Sequence, residues 1–315
     1  MKGTLRHDQY LTDLSLAYPK GKLIGEIVAP VVPVNFFSNK IFVDSDDAIN
    51  QVQDFAEGSS SQRVDFEAGT PYSYRTTRKA LHDVVLAKEA LNSDIAIRLK
   101  QQITEKLTHR LLLKHELRVA SILTDTTKIA NINLASTGHN QLNETGGSEE
   151  FEKDIVIAVK SIFDNTGATA NMIVIPFHAA LHVANLSFVK ESLKYQYGME
   201  ILTGELQRQA MAVVGLPPVI KGLRVVIASG RVNTNAKGQT KSVSNPWGNN
   251  IIIGHVPENP GLDSMFGVLT MEYESRKVIV ENVTDPAGEK IIVEWDYDIL
   301  EADLNNFYLL TNVIA

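Results

Sequence analysis

His178 and His182 stand four residues apart in a stretch with helical character, Pro176–Val189. That spacing brings two imidazoles to one face of a helix, the beginning of a zinc or iron site. Two imidazoles are an incomplete ligand set, and no carboxylate lies close in sequence to complete it. The alternative is a pair of partly buried or interface histidines. His115-Glu116 opens a zincin-like pattern, but Val119 occupies the place of the second histidine, so that site cannot close. Asp44, Asp46 and Asp47 have the density of a calcium loop without its central glycine or terminal glutamate, and read as a solvated acidic segment. The chain has no cysteine, which removes disulfides, thiolate catalysis and thiolate-bound metals. It carries no Walker-type phosphate loop, no Gly-x-Gly-x-x-Gly fingerprint and no Gly-x-Ser-x-Gly elbow. No cofactor is expected and the chain reads as non-enzymatic. A metal-dependent enzyme using His178 and His182 is the reading in reserve.

The elements around these residues say more. The chain has 315 residues, 44% hydrophobic and 21% charged, with a net charge of −7, which is globular and is not the balance of a protein that coats nucleic acid. The N-terminus lacks the apolar run of a signal peptide, and no apolar run is long enough to span a membrane. Residues 92–125 contain neither Gly nor Pro and predict one helix of roughly 50 Å at 1.5 Å per residue. Asn92 or Ser93 caps it, and Asp94 suits its positive end. Leu91, Ile95, Leu99, Ile103, Leu107 and Leu111 recur every four residues, so the stripe winds around the helix, unlike a coiled-coil seam.

Before this helix, Pro30 and Pro33 exclude a helix and the β-branched and aromatic residues that follow favour extended chain. A Gly/Ser tip at 57–62 separates two strand-like runs, so residues 30–85 read as a long two-stranded excursion. An isolated hairpin is marginal in water, and such an arm is expected to lie on another subunit. Its acids, Asp44, Asp46, Asp47, Asp54, Glu57, Asp65 and Glu67, outnumber Lys40 and Arg63, whereas residues 75–118 are predominantly basic. An acidic arm before a basic strut permits head-to-tail attraction between copies. Beyond residue 148 the pattern is mixed. A helix is expected from Ser148, then strand Met172–Ile175, helix Pro176–Val189, helix Glu205–Val213, and strands at 217–220, 224–228, 250–254 and 266–273. A hairpin turns at 284–289, and an apolar strand, Phe307–Ile314, closes the chain. Trp247 and Trp295 read as half-buried packing residues or interface anchors.

This order of parts resembles the major capsid protein of tailed bacteriophages, the Hong Kong 97 type of shell subunit. The resemblance is carried by LIGEIVAPVVPVNFFSNKIFVD, EALNSDIAIRLKQQITEKLTHRLLLKHELRVASILTD, MIVIPFHAALHVANL and WDYDILEADLNNFYLLTNVIA, and covers nearly the whole chain. It implies an α+β fold. Residues 1–29 would be an N-terminal arm, 30–85 an extended β loop, and 86–147 a peripheral domain with its spine helix at 92–125. Residues 148–265 would form an axial α/β domain, 266–300 a peripheral β-hairpin region, and 301–315 a final strand returning to the axial domain. It also implies hexamers and pentamers that build an icosahedral shell around double-stranded DNA, in a virion assembled in the host cytoplasm. The extended loop begins about 30 residues from Met1, which leaves no room for a scaffolding segment. A separate scaffolding protein is therefore expected, with a portal and decoration proteins as further partners and no membrane. A cellular nanocompartment shell of the encapsulin kind is the alternative.

Contacts between subunits are expected at Phe36, Phe42, Asp46, Asp47, Asp54, Glu57, Arg75 and Arg78. Lys100, Lys106, Arg110 and Lys114 are the residues expected to face DNA, weakly and without sequence preference.

Overall fold

The computed structural model describes residues 5–18, 23–44, 68–86, 93–196, 216–233, 235, 239–240, 242–258, 260, 267–284 and 287–314. In chain order, β1 (Leu5–His7), α1 (Gln9–Leu16), α2 (Gly25–Val28) and β2 (Val31–Pro33) precede a hairpin of β3 (Ser38–Asp44) and β4 (Ala68–Arg75). Next come β5 (Thr77–Leu86), the long helix α3 (Ser93–Leu123), β6 (Ala130–Asn133) and α4 (Gly147–Thr166). β7 (Met172–Pro176), α5 (Phe177–Val183) and α6 (Ser187–Gln196) follow, then β8 (Val219–Ile220), β9 (Leu223–Ala228), β10 (Val232–Asn233), β11 (Val243–Ser244) and β12 (Ile251–Gly254). β13 (Gly267–Thr284), β14 (Ala287–Asp303) and β15 (Phe307–Thr311) complete the chain.

Among the described residues, two larger sheets organise these elements. The first runs β1-β13-β14-β5, with β2 parallel to β13 beside β1. Its centre is the long antiparallel pair β13–β14, and β14 alternates buried and half-exposed side chains, as one covered face requires. Ile291 and Val293 of β14 pack with Val278, Val85, Leu11 and the spine residues Leu107 and Leu111. The second sheet runs β6-β15-β12-β7-β9-β8, and its central strands β7, β12 and β15 are buried along their whole length. Such strands need cover on both faces. Ile173, Ile175, Ile251, Ile253 and Leu310 face Phe151, Ile155 and Ile162 of α4 and the apolar side of α5. Met172, Val174, Ile252 and Leu309 face α2, Trp247 and the end of α3 at Val119–Leu123. Each fully buried side chain of this size contributes about 1.5–3 kcal/mol.

The spine helix therefore lies on the first sheet at Leu107 and Leu111 and reaches the second at its C-terminal end. Its buried face also includes Thr104 and Thr108 before Leu111 and His115 and Glu116 after it, polar residues that an apolar stripe passes over.

Several expectations are revised. Val31–Pro33 and Thr77–Leu86 belong to the first sheet, so the two-stranded excursion is confined to the span from Ser38 to Arg75; β5 is held by β14, more than two hundred residues away in sequence. The segment read as one helix, Pro176–Val189, is two, broken between Val183 and Ser187, where the Asn185 side chain donates to Leu181 O at 3.0 Å. The residues before Pro30 carry more core than an arm requires: Leu11, Leu23, Ile24, Val28 and Ala29 are buried. Trp247 and Trp295 are fully buried, so neither is available as an interface anchor. The helix expected at 205–213 lies outside the described residues.

Candidate assembly surface

The root of the β3–β4 hairpin presents two adjacent aromatic rings. Phe36 is 62% exposed and Phe37 61%. Their backbone is fixed: the Tyr74 hydroxyl donates to Phe36 O at 3.2 Å, and the Thr76 N–H donates to Phe37 O at 2.8 Å. Val34 N–H donates to Glu272 O at 2.8 Å just upstream. Tyr74 itself is buried against Val32, Val34, Leu269, Met271 and Leu300, with Ile41 and Tyr72 at the rim. Two apolar rings are thus held in water by a rigid base, the arrangement of an interface anchor.

Of the other residues expected at contacts, Phe42 pairs with Pro71 in the ladder, its side chain outside the described part of the structure. Asp46, Asp47, Asp54 and Glu57 lie outside the described residues. Arg75 is exposed, and its backbone N–H donates to Asp298 Oδ2 at 2.9 Å. Arg78 lies 3.6 Å from Glu294 and 3.9 Å from Glu274, so its charge is engaged within its own chain. Phe37 was not among the sequence candidates. Its signal was its place in a Phe-Phe pair immediately before a strand, where an apolar side chain has no element to bury it.

His178 and His182 differ in their surroundings. His178 is exposed, with its ring against Phe177, and His182 is half-buried. Among the described residues no three His, Cys, Asp or Glu side chains converge on one point. His115 and Glu116 serve the core. The Thr270 hydroxyl donates to Ala29 O at 3.0 Å, so it accepts from His115 Nε2, 2.8 Å away, which fixes the Nε2–H tautomer. The His115 ring packs on Trp295 and Tyr297. Glu116 accepts from Gly25 N at 2.5 Å and from Trp247 Nε1 at 2.7 Å, and burial raises its pKa above the usual carboxylate range. This node joins α2, the spine and the loop before β12. A Cβ on Gly25 would fall 2.9 Å from His115 Nδ1, so the approach requires glycine. Nearby, Arg276 and Glu26 form a part-buried ion pair at 3.1 Å.

No protein-family model matches this sequence, and no curated protein matches it. Solved structures do. A phage-related protein from Bordetella bronchiseptica aligns over 98% of both chains at 21% identity with a TM-score of 0.70. The capsid of cyanophage P-SCSP1u aligns over 91% of this chain and 87% of its own, at 11% identity and a TM-score of 0.60. This is the Hong Kong 97-type capsid fold. An encapsulin from Synechococcus elongatus aligns over 94% of this chain and 91% of its own, at 12% identity and a TM-score of 0.52. In this chain the basic residues of the spine divide. Lys100 is ion-paired with Glu289 of β14, whereas Lys106, Arg110 and Lys114 are exposed.

Proposed function

We propose that this chain is the major capsid protein of a tailed phage. It assembles as hexamers and pentamers into the icosahedral shell that encloses double-stranded DNA, formed in the host cytoplasm and retained in the virion. The observation that carries this reading is the full-length likeness to a phage-related protein and to phage capsid subunits. The first sheet and spine serve as the peripheral domain, the second sheet with α4–α6 as the axial domain, and the β3–β4 hairpin as the extended loop that lies on a neighbour. Phe36 and Phe37 bury their rings against that neighbour, and the acids of residues 44–67 meet basic residues of its spine. Exposed pairs of this kind steer and register the contact more than they strengthen it. Lys106, Arg110 and Lys114 offer the packaged DNA weak phosphate contacts. A separate scaffolding protein, a portal and decoration proteins are its partners. The chain acts by self-assembly and not by catalysis.

The likeness to an encapsulin favours a second reading, a nanocompartment shell around a protein cargo. The contents of purified particles separate the two: nuclease-protected DNA supports the phage shell, and a stoichiometric enzyme cargo supports the compartment.

Deletion of residues 45–66 tests the role of the loop. The shortened protein is expected to stay soluble, with an unchanged circular dichroism spectrum per residue outside the deletion, and to form no closed particles. Particles of normal size and yield would overturn the clamp.

A further inference from the structure

An open cleft of about 720 Å³ lies at one end of the second sheet. It is lined in part by His178, Arg231, Ser244, Asn249, Asn250 and Asn312. The topology explains why a cleft forms there. β7 and β9 are parallel neighbours, and both end at this rim. The chain leaving β7 enters α5, whose Ala179, Ala180 and Val183 pack on one face of the sheet. The chain leaving β9 returns through Trp247, which packs on the opposite face. Two connections that diverge to opposite faces leave a crevice at the carboxyl ends of the strands, the position where open α/β sheets hold ligands. The volume is that of a small-molecule site.

The chemistry of the lining is one-sided. None of the lining residues among the described ones is acidic. Arg231 has no ion-pair partner among the described residues, and His178 no hydrogen bond. By contrast the Asn245 side chain, also at the cleft, is spent: it donates to Ala228 O at 2.9 Å and accepts from Trp247 N at 2.9 Å. The surrounding sequence has the same bias. From residue 206 to residue 257 there is no Asp or Glu, whereas Arg208, Lys221, Arg224, Arg231, Lys237 and Lys241 are present, in a protein whose net charge is −7. A guanidinium, an imidazole, a hydroxyl and amides around a crevice with no carboxylate among its described residues match a ligand that carries several anionic oxygens.

We propose that this cleft binds a small phosphate-class anion. Arg231 supplies the charge-assisted hydrogen bonds, and His178, Ser244 and Asn249 complete the cradle. The same oxygens could come from a free phosphate compound or from a nucleic-acid backbone; the size of the cleft favours the free compound.

Isothermal titration of the purified full-length protein with sodium tripolyphosphate, at about 0.15 M salt, tests the assignment. Saturable binding is expected, weakened at least about tenfold by Arg231→Gln. Lys160→Gln, which removes the same charge from an exposed site on α4, is expected to change it less than about twofold. His178→Gln is the second cleft variant and is expected to weaken binding as well. Absence of saturable binding to the wild-type chain would overturn the proposal, as would equal weakening by Arg231→Gln and Lys160→Gln. A short DNA duplex supplied at the same phosphate concentration should not displace tripolyphosphate. Displacement would mean that the cleft reads a nucleic-acid backbone, and would overturn the assignment to a small anion.

Discussion

Glu116 is a carboxylate sealed inside the molecule, and its setting has a testable sign. Burial raises its pKa, and the N–H groups of Trp247, Gly25 and Ile24 pull it back only in part. The folded state therefore holds the proton more tightly than the unfolded chain does. The resulting stabilisation is complete below the ordinary carboxyl range and is lost as pH rises through the raised folded value. Glu116→Gln removes the titration and turns an amide N–H toward the N–H of Gly25 or Trp247, at a cost of about 1–3 kcal/mol. Denaturant melts of both proteins should show the wild-type advantage shrinking as pH is raised from about 4 toward 7. An advantage that grows over that range would mean that the hydrogen bonds outweigh burial. The sequence displayed Glu116 only as half of a failed zincin motif. Its function in the core depends on Gly25 and Trp247, and only the fold brings those three together.

At the scale of elements, the hairpin root makes the sharper claim. Phe36 and Phe37 are exposed, so Phe36→Ala with Phe37→Ala should change the stability of the subunit by less than about 0.5 kcal/mol for each substitution. If the two rings anchor a neighbour, the protein concentration at which assembly begins should rise at least about tenfold, read by light scattering. An unchanged threshold would remove the root from the contact. The elements themselves were unevenly legible. The spine was expected at 92–125 and runs Ser93–Leu123, because an unbroken helical composition with a cap leaves few alternatives. β13 and β14 are longer than the apolar runs that announced them. Glu272, Glu274, Asp296 and Asp298 resemble loop residues in sequence, yet they alternate along a sheet with one wet face. The break between α5 and α6 has no Gly or Pro to mark it. β5 was assigned to the excursion because its partner strand is remote, and no local pattern reports pairing at that distance.

Among the described residues, two larger sheets are joined by a helix that packs on both, with the β3–β4 hairpin beside the first and a polar cleft at the rim of the second. The order of parts in the sequence was enough to suggest the shell fold, since that fold is defined by layout and not by a catalytic signature. The contact surfaces were less legible. Arg78 looked available and is engaged with Glu274 and Glu294, and Lys100 with Glu289, because charges that seem unopposed along the chain meet partners from β13 and β14. The cleft was invisible for the same reason: His178, Arg231, Asn249 and Asn312 come from four separate stretches. On the proposed function the subunit acts in many copies, each covering part of the next. Negative-stain microscopy of the full chain, expressed alone and concentrated, tests that claim most directly. Closed shells, tubes or hexameric plates of uniform lattice are expected, and small oligomers of one size at every concentration would contradict it.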